Sequence, residues 1–306
     1  MFGDFTNFNI PNEEDEIATD KKTFDLETYA DYMKLKGTGE GQERRIKLPE
    51  ELKTLKNNKL KIVKFSTNKH KIPQRQIMLD NIIPQHPSSV IFNGRSGSGK
   101  SNLIVNLLTR PEFYGRTQED NPKSQYFDLI FLFSPTAKND DLPEYLEIPD
   151  SRTFDENFDA PLDHIINTQK NIIEKNGLDK APKILIIFDD IQSQKKFMNS
   201  PNFTKMFIQN RHHGISTWVA CQSFTRLPRV LRLQANALFI FPSSGSETEI
   251  LANEFTPPNT SRKQFERLIQ HATRERFSFL FINMREPPDQ RYRKNLDTIL
   301  TIKKKY

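Results

Sequence analysis

Eight residues, Gly94-Arg95-Ser96-Gly97-Ser98-Gly99-Lys100-Ser101, constrain this chain more than any others, because they match the phosphate-binding pattern G-x-x-x-x-G-K-[ST] at every fixed position. They are preceded by the short apolar run Ser89-Val90-Ile91-Phe92-Asn93, which reads as a buried strand. They are followed by Asn102 to Leu108, which contains neither Gly nor Pro and reads as a helix leaving the loop. In that context the glycines let successive backbone N–H groups turn inward toward phosphate oxygens, and the helix N-terminus adds its partial positive charge. Lys100 is then placed to reach the β- and γ-phosphates, and the Ser101 hydroxyl to ligate the magnesium ion that bridges them.

A second element pairs with the first. Lys183-Ile184-Leu185-Ile186-Ile187-Phe188 is a continuous apolar run ending in Asp189-Asp190, as expected of a parallel strand covered on both faces. Carboxylates at the carboxyl end of such a strand project into the crevice where open α/β sheets bind ligands. Asp189 is expected to hold the magnesium shell, and Asp190 to orient or deprotonate an attacking water. A further strand over Ser216 to Cys221 ends in Gln222. Its place in the chain suits an arrangement in which it lies between the two motif strands, bringing Gln222 near the γ-phosphate.

The remaining pattern completes one α/β domain, a mostly parallel sheet with helices on both faces. Tyr126 to Phe133, Ala237 to Phe241 and Phe277 to Ile282 read as strands, and Leu162 to Ile173 as a helix ending before Gly177. Ser246 and Glu249 are spaced as a capping box, and Phe265, Leu268 and Ile269 mark another helix. Past Pro287-Pro288, Arg291 to Ile302 reads as a basic strand or hairpin. His212-His213 reads as a helix-end pair.

Length and charge place the rest. At 306 residues, with 24 Phe, the chain is large enough for one substantial core. A single Cys excludes an internal disulfide framework and points to a reducing compartment. No secretory leader or membrane-spanning run is expected. Residues 1–45 carry 11 Asp/Glu against 6 Lys/Arg, so with a net charge of +6 the remainder carries +11. Residues 1–43 read as an acidic mobile arm, 44–80 as a basic lead-in, and 81–306 as the phosphate-binding domain. Between Arg44 and Arg75 there are 11 Lys/Arg against Glu50 and Glu51, with alternation through Lys59, Lys61 and Lys64. This strip reads either as a nucleic-acid contact or as an edge strand guarded by lysines.

Together with these motifs, Asn-Arg-His-His-Gly-Ile-Ser (210–216), Ala-Cys-Gln-Ser (220–223) and Leu-Pro-Arg-Val-Leu-Arg-Leu-Gln-Ala-Asn-Ala (227–237) give the chain its resemblance. Over residues 80–300 it resembles the genome-packaging ATPases of large double-stranded DNA viruses and virophages, in the FtsK-HerA class. The resemblance implies a P-loop NTPase fold, ATP and Mg²⁺ at the site, and duplex DNA as the substrate moved. It also implies a homo-oligomeric ring, capsid proteins as partners, and a location in the host cytoplasm, a viral factory or the virion. A ring of this kind calls for an arginine donated to a neighbour's site, for which Arg232 and Arg211 are the candidates, with Arg226 and Arg229 at three-residue spacing beside Arg232. The family usually places this arginine closer to the following Asn than here, where Arg232 stands four residues before Asn236. The competing readings are a P-loop phosphotransferase for a small molecule, which would need a basic lid, and a nucleotide-binding scaffold. No Asn-Lys-x-Asp guanine-reading motif follows the loop, which disfavours a GTPase.

Overall fold

The computed structural model describes residues 17–18, 82–115, 125–258 and 260–302. The expected arm, the whole of the basic lead-in including Lys59, Lys61 and Lys64, and the Lys303-Lys304-Lys305 tail lie outside the described residues, apart from a short strand β1 (Ile17–Ala18) within the arm. The strands that follow are β2 (Ser89–Asn93), β3 (Leu129–Phe133), β4 (Thr153–Phe154), β5 (Ile184–Asp189), β6 (Ile215–Cys221), β7 (Ala237–Ile240) and β8 (Leu280–Asn283). The chain then forms β9 (Tyr292–Lys294), β10 (Thr298–Ile299) and β11 (Thr301–Ile302), the last pairing antiparallel with β1. The helices are α1 (Lys100–Thr109), α2 (Leu142–Tyr145), α3 (Asp159–Asn176), α4 (Lys195–Met198), α5 (Pro201–His213), α6 (Arg229–Gln234), α7 (Gly245–Phe255) and α8 (Arg262–Ala272).

Nine strands form the main sheet in the order β10-β9-β8-β7-β2-β6-β5-β3-β4. The pairings from β7 to β4 are parallel, and β8, β9 and β10 extend the sheet antiparallel. Two cores, one on each face, explain why the central strands are apolar throughout. Along β5, Ile184, Ile186 and Phe188 enter the core shared with α3, α5, α7 and α8, while Leu185 and Ile187 enter the core that contains the buried face of α1. With side chains alternating between faces, a strand covered on both sides has no solvent face to mark with polar residues. Burying each such side chain contributes about 1.5–3 kcal/mol. The two outermost strands, β4 and β10, are two residues long, which limits the exposed edge.

Local chemistry sets the helix ends. Ser200 Oγ accepts from Phe203 N (3.2 Å), Pro201 opens α5 and Gly214 closes it at φ 56°. The capping box expected at Ser246 and Glu249 is absent, because α7 begins at Gly245 with Ser244 as its N-cap and no side-chain cap. That earlier start places Glu247 in the first turn, where it is recruited by a neighbouring loop. A capping box is formed instead by Ser261 and Gln264 on α8. Two expected strands are shorter than their apolar runs. Before β3, Asp128 Oδ2 accepts from Lys183 N (2.7 Å) and Phe127 turns into an aromatic cluster. Before β8, Phe277 adopts φ 65°, incompatible with an extended strand.

Candidate nucleotide site

The C-terminal ends of β2, β6 and β5 lie side by side, with β6 in the middle, and all of the candidate phosphate and metal residues gather there. The loop from Gly94 to Gly99 joins β2 to α1. Gly94 N donates to Cys221 O (3.0 Å), fastening the loop to the end of β6. A Cβ on Gly94 would fall 2.6 Å from Phe241 Cβ and 2.7 Å from Ser98 Oγ, so only glycine fits. Gly97 and Gly99 take φ 73° and 107°, a region that other residues enter at a cost. Arg95 and Ser96 are exposed on the crest, and Ser98 and Ser101 are half-buried. Lys100, only 7% exposed, lies along the loop, its Nζ donating to Gly94 O (2.8 Å) and Arg95 O (3.2 Å). Ser98 Oγ is buried without a hydrogen-bond partner. A curled backbone, a buried ammonium and an unused hydroxyl together suit an anion of several oxygens.

Across β6, Asp189 is the last residue of β5 and 4% exposed. Burial, reinforced by the charges of Asp190 and Asp140, pushes its carboxyl up to about 7, with Lys100 pulling the other way. A cation beside the buried Asp189 carboxyl would relieve that cost, and Asp189 and Ser101 carry oxygen ligands of the kind magnesium takes. Asp190 sits at φ 48°, its N–H on Ala220 O (3.2 Å), and this left-handed turn carries the chain away from the strand. Gln222 Nε2 donates to Asp190 Oδ2 (2.7 Å), so the residue at the end of β6 is tied to the acidic pair.

Two residues that the sequence reading passed over hold Gln222 and the segment just beyond it. Gln192 Oε1 accepts from Gln222 N (3.1 Å) and Ser223 N (3.2 Å). Glu247 accepts from Ser223 Oγ (2.7 Å), Thr225 Oγ1 (2.9 Å), Thr225 N (3.2 Å) and Phe224 N. Gln192 is only two residues past Asp190, a spacing that offered a signal; Glu247 is more than twenty residues from its partners and offered none.

The arginines are distributed differently from the expectation. Arg232 is 9% exposed, its Nη2 2.9 Å from Glu254 Oε1 and its guanidinium over Phe224 (5.1 Å). The expected availability of Arg232 to a neighbour is therefore corrected, since α6 packs this side chain against α7; Arg229 stays exposed with its Nε 3.7 Å from the same Glu254 Oε1, and Arg226, in the turn before α6, is exposed. Arg211 is exposed in the last turn of α5, whose C-terminus leads into the start of β6, and its charge acts on Arg285. It thus lies at the end of the sheet opposite the phosphate loop. Arg293, in the basic segment from Arg291 to Ile302, is buried on β9.

The class that this fold and site define is a P-loop NTPase whose two motif strands are separated by an added strand. A family model described as "Poxvirus A32 protein" matches residues 76–276, well over half of the chain, and the chain belongs to that family. It is 23% identical over 244 residues to "Uncharacterized protein L437" of Acanthamoeba polyphaga mimivirus, covering 76% of this chain and 75% of that one. Among solved structures, B204, the DNA-packaging ATPase from Sulfolobus turreted icosahedral virus, is 16% identical, with a TM-score of 0.46 over 72% of this chain and all 100% of its own. EssC (ATPases 2 and 3) from Geobacillus thermodenitrificans is 14% identical, with a TM-score of 0.41 over 70% of this chain and 39% of its own.

Proposed function

We propose that this chain is an ATP-driven motor that moves double-stranded DNA and packages a viral genome into a capsid. The observation that carries the ATPase part is the convergence of Lys100, Asp189 and Asp190 on one end of the sheet, with Gln222 bonded to Asp190 from the strand between them. The backbone of the loop would bind the phosphates and Lys100 would turn from Gly94 O and Arg95 O to the γ-phosphate. Ser101 and Asp189 would hold Mg²⁺, which when bound neutralises charge on the phosphate oxygens. Asp190 would take the proton of the attacking water, and the Gln222 amide, 2.7 Å away, would hold that carboxylate in one orientation.

Membership in a viral protein family and the +11 charge outside the acidic leader support duplex DNA as the partner. Among the described residues no helix is long and apolar enough to cross a membrane. A ring assembly, capsid proteins as the docking partner, and a place in the host cytoplasm or viral factory complete the reading. In such a ring an arginine from a neighbour would meet the γ-phosphate, worth about 10³–10⁵ in rate. Arg226 and Arg229, on the surface, are better placed for this than Arg232, and Arg211 would reach only a neighbour's site.

Steady-state ATP hydrolysis with and without duplex DNA tests the proposal. Turnover is expected to rise with DNA of any sequence, to lose that rise as salt increases, and to disappear in Lys100→Ala. Hydrolysis indifferent to DNA at every salt concentration would overturn the motor reading and leave only a nucleotide enzyme.

A further inference from the structure

Phe277 is an anomaly that nothing in the hydrolytic site requires. It is a bulky residue at φ 65°, a conformation that costs about 1–3 kcal/mol and persists only where the surroundings impose it. Phe277 is 44% exposed, whereas most other phenylalanines among the described residues are buried. The segment that carries it is held firmly. Ser278 N and Oγ both donate to Glu275 O (3.1 and 2.7 Å), Lys294 Nζ reaches Glu275 Oε1 (2.7 Å), and Phe279 N donates to Asn295 Oδ1 (3.2 Å).

The topology puts this ring at the nucleotide site. Because β8 runs antiparallel to β7, with Leu280 opposite Ile240, the segment entering β8 lies at the same end of the sheet as the phosphate loop. The ring borders Gly99 itself: a Cβ built there would lie 3.4 Å from Phe277 Cδ1 and 3.6 Å from Phe241 Cε1. The acids sit on the β6–β5 side of the loop and Phe277 on the β7–β8 side. A triphosphate with its γ end toward Asp189 and Asp190 would extend its nucleoside toward the Phe277 side of the loop. Just past the end of β7 a cleft is lined by Pro242, Ser243, Glu249, Arg262, Glu266 and Thr273, and Ser243 Oγ is buried without a hydrogen-bond partner.

Building on the nucleotide site assigned above, we propose that Phe277 is the stacking platform for the nucleotide base. The Arg276 guanidinium lies over the ring, 4.7 Å from its centroid, and helps to hold it in place. Stacking is tolerant of base identity, so this platform accepts adenine and guanine alike and gives the site purine affinity without reading the base edge.

Equilibrium binding of ATP and of inorganic tripolyphosphate to the full chain tests the platform. Phe277→Ala is expected to weaken ATP by about five- to a hundredfold and to leave tripolyphosphate unchanged, while Phe277→Tyr keeps wild-type affinity. Phe277→Trp adds a second indole to the buried Trp218, and its emission should be quenched by ATP and not by tripolyphosphate. Wild-type ATP affinity in Phe277→Ala, or equal loss of both ligands, overturns the proposal. A wild-type chain that binds neither ligand, with Lys100→Ala no different, overturns the nucleotide site and the platform together.

Discussion

The two ends of the central sheet obey different rules. At the end where the strands begin, polar groups are matched. His86 Nδ1 and Ser216 Oγ are 2.8 Å apart, Asn210 Nδ2 donates to Ser89 Oγ (2.8 Å), and Asn236 Oδ1 accepts from Ser89 N (2.9 Å). Arg285 donates to Gln85 O (3.1 Å) and Pro87 O (2.8 Å), and of the side chains there Ser88 Oγ and Gln169 Oε1 are left over. At the end where the parallel strands stop, costs accumulate: left-handed backbone at Asp190 and Phe277, a buried carboxyl with a like charge beside it, and an unpartnered hydroxyl in the phosphate loop. The first end holds the fold together. The second retains unfavourable features that a ligand would relieve, which is how binding energy becomes available for chemistry.

The sharpest way to break this contrast is to exchange the effects of mutation. Asp190→Asn is expected to lower ATP turnover by on the order of 10²-fold or more without lowering the melting temperature. Arg285→Ala should do the reverse, costing about 1 kcal/mol in chemical denaturation and leaving turnover within a few-fold. A stability loss in the first variant equal to that in the second would erase the distinction.

The next largest effect lies in pH, and the two ends carry opposite signs. Asp189 is pushed up from an ordinary value of 3.8 to about 7. Between those values the folded state keeps a proton that the unfolded chain has lost, so its stabilising contribution fades as pH rises from about 4 through 7, by at most about 1.4 kcal/mol per unit. Asp189→Asn should therefore raise the melting temperature at pH 8, measured without divalent cations, and leave it nearly unchanged at pH 4. His86 is lowered from 6.5 to about 4, chiefly by burial and then by the charge of Lys183. Its stabilising contribution is complete above 6.5 and is lost as pH falls toward 4. His86→Gln should flatten the acid side of the stability profile alone. If both variants moved the same limb, one of these assignments would be wrong.

The smallest expected change is Phe277→Gly, which removes the left-handed penalty and should stabilise the chain by about 1 kcal/mol in denaturant titration. A destabilised glycine variant would mean that the ring packs for stability like any core phenylalanine.

What the sequence made legible follows the same division. The phosphate loop, the acidic pair and the central position of β6 were readable because each rests on a local motif or on an apolar run of strand length. Gln222 was readable as a polar residue at a strand end, but its bond to Asp190 was not. Interactions across long separations were out of reach. Nothing in the sequence separates the buried Arg232 from the exposed Arg229 three residues earlier, both within reach of Glu254, because which face of α6 is covered depends on α7. The misplaced capping box has the same origin: Ser246 and Glu249 satisfy the local pattern, yet the demand for Glu247 by the loop after β6 sets where α7 starts. Phe277 hid inside an apolar run, where its hydrophobicity argued for the strand interior that its backbone does not join.

The Glu247 carboxylate has a mechanical consequence. By receiving four hydrogen bonds from Ser223, Phe224 and Thr225 it welds the segment beyond Gln222 to the first turn of α7, and Arg232 with Glu254 fastens α6 to the last turns of the same helix. Hydrogen bonds to a charged group are worth about 1.5–3 kcal/mol each, so these pieces yield together or not at all. A shift of the Gln222 backbone would therefore be passed on to α6 and α7 and not absorbed by a slack loop.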